Sequence, residues 1–177
     1  LPAGWKFGEA SGVAVDRNDN VWVFNRGAHP VVRLDKDGKF VSSWNDVPVI
    51  AAHGIRTDRE NNVWLVDVKG HAVLKFSPFG RLLMVMTNAG RQPGDNNTPY
   101  AFNQPTGVTF AANGDVYVSD GYVNSRVVQY NSKGEYIRHW GRKGTGDGEF
   151  DLVHDVAVDK QGRVYVADRT NGRIQVF

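Results

Sequence analysis

There is no cysteine among the 177 residues. Disulfides and thiolate metal ligands are therefore excluded, and cysteine usage leaves the compartment open. No apolar run approaches the length of a membrane span, which argues against a membrane partner. No signal peptide is visible, and a chain beginning at Leu1 is compatible with a removed leader or a trimmed terminus. A bias of charge is also lacking. The formal net charge is +2, with lysines and arginines scattered beside acids, too weak a basic character to argue for nucleic acid. Convincing helical periodicity is absent throughout. What is present is a 41% hydrophobic, 23% charged chain with 20 glycines. That composition suits one globular domain rich in turns.

Four segments repeat one pattern: Ser11–Trp44, His53–Met86, Thr106–Trp140 and His154–Phe177. Their starts are spaced 42, 53 and 48 residues apart, so the insertions lie between units. Each unit opens with a short strand (12–15, 54–57, 107–110, 155–158) and a turn rich in Asp, Asn and Gly. A second strand ends at Asn25, Asp67, Asp120 or Asp168, and a third covers 31–34, 72–76, 127–130 or 174–177. In the first three units a further turn leads to a fourth strand. Alternating strands with turn signals about every 8–12 residues predict an all-β fold. Four strands per period of roughly 40–50 residues predict the blades of a β-propeller. The fourth unit stops before its outer strand. Either Leu1–Ala10 supplies that strand and closes a small ring, or the four units belong to a larger ring of six blades. The second alternative is favoured. The stretches 87–105 and 141–153 read as long loops between blades, able to build a binding face or merely to bridge.

The fullest unit holds an unexpected residue. Asp120-Gly121-Tyr122-Val123-Asn124-Ser125 reads as a tight turn between two strands, with Gly121 available for positive φ. A tyrosine there adds little to a sheet core. The residues that precede the four first strands, Ser11, His53, Thr106 and His154, fall at equivalent places on the central channel. Histidine occupies alternate blades, a third of a turn apart in a six-bladed ring. A third histidine in a sixth blade would complete a zinc-type ring of imidazoles, whereas two polar hub residues bonded to neighbouring backbone are the plain alternative. The turns after the second strands place Arg26, Lys69, Tyr122 and Arg169 on one rim. Arginines beside a metal suit a carboxylate substrate, and a tyrosine beside a cation can serve as a base. Arg126 and Arg173 recur at one repeat position and read as inter-blade bridges. The recurrent aspartates read as turn caps, and His29, His71 and His139 as surface or packing residues.

The stretches Asn124-Ser125-Arg126-Val127-Val128-Gln129-Tyr130 and Asn171-Gly172-Arg173-Ile174-Gln175-Val176-Phe177 resemble NHL repeats. Tyr-Val-Ser-Asp-Gly-Tyr-x-Asn-Ser-Arg-Val-Val-Gln, Ala-Asp-Arg-x-Asn-Gly-Arg-Ile-Gln and Gly-Arg-Gln-Pro-Gly are similar to peptidyl-α-hydroxyglycine α-amidating lyases, from about Gly12 to Phe177. That resemblance implies a six-bladed propeller with a zinc held by three histidines and a structural calcium. It implies His53 and His154 as two zinc ligands and Val13 and Ile55 as donors of backbone carbonyls to calcium. It further implies Tyr122 as base, with Arg26 and Arg169 as active-site arginines. The substrate would be a small molecule or peptide with a carboxylate end, split to an amide and glyoxylate. A secreted or periplasmic location is favoured on the same ground. The third zinc histidine and an adjacent calcium-binding aspartate belong to a sixth blade that these residues do not contain, so a second chain or fragment would complete the ring. Val123 stands where the animal enzymes carry a cysteine. The alternative is a non-catalytic NHL scaffold that presents one face to a protein, peptide or RNA.

Overall fold

Fifteen strands form four antiparallel sheets, each laid down in sequence order. The structure, a computed structural model, describes residues 1–177. The first sheet comprises β1 (Ala10–Val15), β2 (Val21–Asn25), β3 (Val31–Leu34) and β4 (Phe40–Trp44). The second comprises β5 (Ala52–Thr57), β6 (Val63–Asp67), β7 (Ala72–Phe76) and β8 (Leu82–Met86). The third comprises β9 (Pro105–Phe110), β10 (Val116–Asp120), β11 (Arg126–Tyr130) and β12 (Tyr136–Trp140). The fourth has three strands, β13 (Val153–Val158), β14 (Val164–Asp168) and β15 (Arg173–Val176). These are the meandering blades of a β-propeller, as the repeat predicts. No helix is long and apolar enough to cross a membrane.

Local chemistry explains why each blade folds alike. The turn between first and second strands needs one residue in the left-handed region, and the four units put Asp19, Asn61, Gly114 and Gly162 there, all at positive φ. Asp, Asn and Gly are the residues that tolerate that region. An aspartate at the start of the turn then receives an aromatic donor from the second strand. The indole of Trp22 donates to Asp16 at 3.0 Å, that of Trp64 to Asp58 at 2.9 Å, and the hydroxyl of Tyr165 to Asp159 at 3.1 Å. In these three blades the aromatic side chain is thereby fixed in a polar-tipped, apolar-bodied pose, whereas the third has Ala111 in place of the aspartate.

Alternation along the strands divides each blade into two faces, and neighbouring blades bury those faces against each other. Trp22 and Phe24 of the first blade meet Ile55, Leu65 and Leu74 of the second. Trp64 and Val66 meet Phe102, Val118 and Tyr130 of the third. Tyr117 and Val127 meet Phe150, Val156 and Val166 of the fourth. Leu1–Ala10 does not add a strand to the fourth blade, whose sheet is β13-β14-β15. Trp5 instead stacks on His29 at 3.3 Å between ring centroids and meets Phe40 edge-on, both in the first blade.

The loops between blades are tied to the sheets by the recurrent residue that ends each second strand. Asp67 accepts from the backbone amides of Ile50 and Ala51, Asp120 from Asn103, Asp168 from Asp151, and Asn25 from Gly8. These residues therefore anchor the chain as it enters each blade, in addition to capping turns. Arg126 donates to Asp120 and to the carbonyls of Asn96, Thr98 and Ala101. Arg173 treats Asp168 and the carbonyls of Gly146 and Glu149 in the same way. The two recurrent arginines thus clamp the long inter-blade loops.

Candidate functional site

Each first strand carries a β-bulge near its start. The register slips between Ala10 and Gly12, between Ala52 and Ile55, between Val153 and Asp155, and opposite Ser119 and Asp120 in the third blade. Ser11, His53, Thr106 and His154 lie at those slips, inside the strands rather than just before them as the sequence suggests. A bulge inserts an unpaired residue and re-aims its side chain. That is how a strand otherwise committed to sheet pairing turns an imidazole toward the channel.

The hub residues are then linked from blade to blade. Nδ1 of His53 lies 2.7 Å from the Thr106 carbonyl, and the Thr106 hydroxyl donates to the Val153 carbonyl at 2.8 Å. A carbonyl can only accept, so Nδ1 of His53 carries the proton and Nε2 keeps its lone pair. This is the kind of partner that orients a metal-binding imidazole. Ser11 stays within its own blade and donates to the Phe24 carbonyl.

Tyr122 closes the group. Its hydroxyl stands 3.1 Å from Nε2 of His53 and 3.3 Å from Nε2 of His154, and its ring meets both imidazoles edge-on. The turn that holds it is not built on a positive φ. Gly121 lacks that conformation, and its role is space: a Cβ there would collide with the Val153 carbonyl of β13. Glycine lets the third-blade turn lie directly on the strand that carries His154, and this close approach delivers the phenol to the two rings. The Tyr122 amide donates to the Gln104 carbonyl at 3.3 Å.

Burial pushes the imidazole of His53 below the ordinary histidine range. His154 and Arg26 push in the same direction, against the Thr106 hydrogen bond and Asp155. Burial and the positive charge of Arg169 likewise lower His154, against Asp155. Both rings are thus biased to the neutral form that binds metal. The two arginines expected at the rim are therefore felt at the two histidines, one each. Arg26 is held by its Nε donating to the Ala52 carbonyl at 3.1 Å and by an ion pair with Glu9 at 2.8 Å. The side chain of Arg169 is exposed. Lys69 is also exposed. His29, His71 and His139 pack elsewhere, against Trp5, the Gln104 amide and Tyr136 respectively.

Two imidazoles biased to the neutral form, with Nε2 atoms that share the Tyr122 hydroxyl as neighbour, fit two ligands of a zinc site. No third His, Cys, Asp or Glu converges with them. The residues implied for calcium are different. Val13 is 54% exposed on β1, and the Ile55 carbonyl already accepts a hydrogen bond from Nη1 of Arg56 at 3.0 Å. A guanidinium on one of the two carbonyls does not fit a divalent cation there. The same guanidinium pairs through Nη2 with Asp155 at 2.8 Å. Sequence reasoning missed this pair, together with Glu9 and the Ala52 carbonyl. Its one visible trace is a charged residue on each of two channel strands, shortly after each histidine. His53, Thr106, His154, Arg56 and Asp155 line a cavity of about 130 Å³.

Comparison with known proteins gives relatives of two kinds. The NHL repeat family matches residues 102–130 and 150–177. NHL repeat-containing protein 3 of Homo sapiens is 37% identical over 93% of this chain and 50% of its own length. Peptidylglycine alpha-amidating monooxygenase of Rattus norvegicus is 33% identical over 96% of this chain and 20% of its own length. Peptidyl-alpha-hydroxyglycine alpha-amidating lyase 1 of Drosophila melanogaster is 35% identical over 49% of this chain and 17% of its own length. Among solved structures, a streptogramin B lyase superposes with a TM-score of 0.73 at 12% identity, covering 98% of this chain and 56% of that one, a likeness of fold alone. The chain thus spans half the length of the human relative and a fifth of the rat one. It is a β-propeller chain of four blade units with NHL repeats matched over residues 102–130 and 150–177, and its relatives lie both among amidating enzymes and in NHL repeat-containing protein 3.

Proposed function

We propose that this chain supplies part of the active site of a zinc-dependent lyase that splits a peptidyl-α-hydroxyglycine, or a related N-acyl-α-hydroxyglycine, into an amide and glyoxylate. The observation that carries the reading is the Tyr122 hydroxyl seated between Nε2 of His53 and Nε2 of His154. A scaffold has no need of a phenol between two imidazoles. The name of the fly relative points the same way, and that of the rat relative points to peptide amidation more broadly.

His53 and His154 would hold the zinc, with a third ligand from a further blade or a second chain, and a bound zinc would supply Lewis-acid stabilisation of developing negative charge on oxygen. The residues of this chain do the rest. Arg26 and Arg169 pair with the substrate carboxylate and fix the hydroxyl-bearing carbon near Tyr122. Tyr122, as phenolate, takes the proton of that hydroxyl. The electron pair left on oxygen forms the carbonyl of glyoxylate as the C–N bond breaks. The departing amide nitrogen takes up a proton, and that of Tyr122 returns it to the phenolate state.

The second reading, a non-catalytic scaffold for a protein, peptide or RNA, is favoured by the similarity to NHL repeat-containing protein 3. Assay of glyoxylate release by the zinc-loaded full-length protein, wild type against Tyr122→Phe, separates the two. Turnover that depends on the hydroxyl supports the lyase. Equal rates for the two proteins would reject Tyr122 as base, and no release from either would leave the scaffold.

A further inference from the structure

Arg56 lies three residues after His53 on β5, and Asp155 lies immediately after His154 on β13. Their ion pair, Nη2 to Oδ2 at 2.8 Å, joins the second blade to the fourth and passes over the inner strand of the third. The crossing has a matching gap. At Gly107 on β9 any Cβ would run into Oδ1 of Asp155, so the intervening strand carries no side chain at the point where the carboxylate passes. Oδ1 also accepts from the Val156 amide at 2.9 Å, which fixes the carboxylate on its own strand. The other arm of the guanidinium, Nη1, donates to the Ile55 carbonyl at 3.0 Å. The side chains are 40% and 47% exposed, facing the channel rather than the core.

One positive group thus gathers a backbone carbonyl from one blade and a carboxylate from another. Those are the hard oxygen donors that calcium takes. We infer that the Arg56 guanidinium is the built-in channel cation of this protein. It holds the strand of His53 in register with the strand of His154, in the place where a divalent ion would otherwise bridge them. Arginine suits the task because its charge is permanent and its fork addresses two acceptors at once. An exposed pair of this kind adds little to global stability, so its value is positional. The inference rests on Arg56, Asp155, Ile55 and Gly107 alone and holds whether or not the site is a lyase.

Calcium itself is the probe. The thermal midpoint of the full-length wild-type protein is expected to be the same in EGTA and in millimolar calcium, with no saturable calcium binding by calorimetry. A calcium-dependent rise in the wild-type midpoint, or saturable binding in the channel that Asp155→Asn abolishes, would overturn the inference. Arg56→Gln uncovers the carbonyl and the carboxylate, and is expected to gain a saturable calcium-dependent rise in midpoint that the added change Asp155→Asn removes. Arg56→Lys keeps a charge and is expected to stay calcium-insensitive. A folded Arg56→Gln protein that ignores calcium as the wild type does would also overturn it. Should Arg56→Gln fail to fold, the wild-type titration with EGTA still decides.

Discussion

The hydroxyl of Tyr122 lies 3.1 Å from Nε2 of His53, although 69 residues separate them in the chain. The two belong to adjacent blades, and the contact depends on a bulge that turns the imidazole inward and on a glycine that lets the tyrosine turn settle on β13. Histidine, phenol and glycine form one device, and each part can be removed separately.

Tyr122→Phe removes only a hydroxyl from a side chain that is 37% exposed. Its denaturation midpoint should match the wild type. Glyoxylate release by the zinc-loaded protein should fall by about 10²–10⁴-fold, the usual contribution of a positioned general base. An unchanged rate would remove Tyr122 from the mechanism.

Gly121→Ala tests the close approach. The new Cβ meets the Val153 carbonyl, which belongs to a paired strand and cannot swing aside. Overpacking of this kind costs about 1–3 kcal/mol, measurable in urea. Gly162→Ala makes a useful contrast, because its Cβ would meet nothing and only its positive φ opposes the change. If Gly121→Ala were neutral, the turn would not rest on β13 as described.

Acidification should weaken the fold through the two hub histidines. Their folded values are depressed, chiefly by burial, so the unfolded chain binds more protons than the folded one over the affected range. Stability is then fully present above the unfolded value of about 6.5 and declines as pH falls from there through the folded values. Asp16 and Asp58 are also depressed below the carboxylate range. Burial opposes the effect, but hydrogen bonds from Trp22 and Asn20 in the one case, and from Trp64 and Asn62 in the other, outweigh it. A second decline is therefore expected below about pH 4. Urea midpoints across pH should show both, and the His53→Gln, His154→Gln double variant should lose most of the upper one.

The pair of Arg126 and Asp120 is fully buried. Arg126→Met leaves the Asp120 carboxylate without its cation and frees the carbonyls of Asn96, Thr98 and Ala101. Breaking a buried pair from one side costs about 3–5 kcal/mol. The loop at 95–101 should also become the first site cut in limited proteolysis. Resistance equal to the wild type would show that the clamp is dispensable.

Trp64 is almost entirely enclosed between the second and third blades. Trp64→Ala should cost about 3–5 kcal/mol, and it should do so without changing the calcium response of the channel. This separates the general packing of blades from the specific bridge made by Arg56.

The sequence alone determined the blades. Strand alternation, Asp, Asn or Gly at each inner turn, and a polar residue at the end of every second strand are short-range requirements. A period of four strands writes them out once per unit, so they can be read without knowing what packs on what. His53, His154, Arg26 and Arg169 were legible for the same reason, because the repeat register places them at equivalent hub and rim positions, and Tyr122 stood out as the residue that breaks the pattern of its rim. Tertiary structure decided how those exceptions meet. Positive φ looked sufficient to explain Gly121, but the true constraint is a carbonyl from a strand 32 residues away in the chain. The hub residues looked like leaders to their strands, but the pairing register makes them bulges. The bond between Arg56 and Asp155 spans 99 residues, and neither side chain is unusual where it stands. Local patterns record what a residue asks of its immediate neighbours. The angle between blades fixes what faces the channel, and that angle comes from the packing of Trp22, Trp64 and Tyr117 against the next sheet rather than from any one stretch of chain.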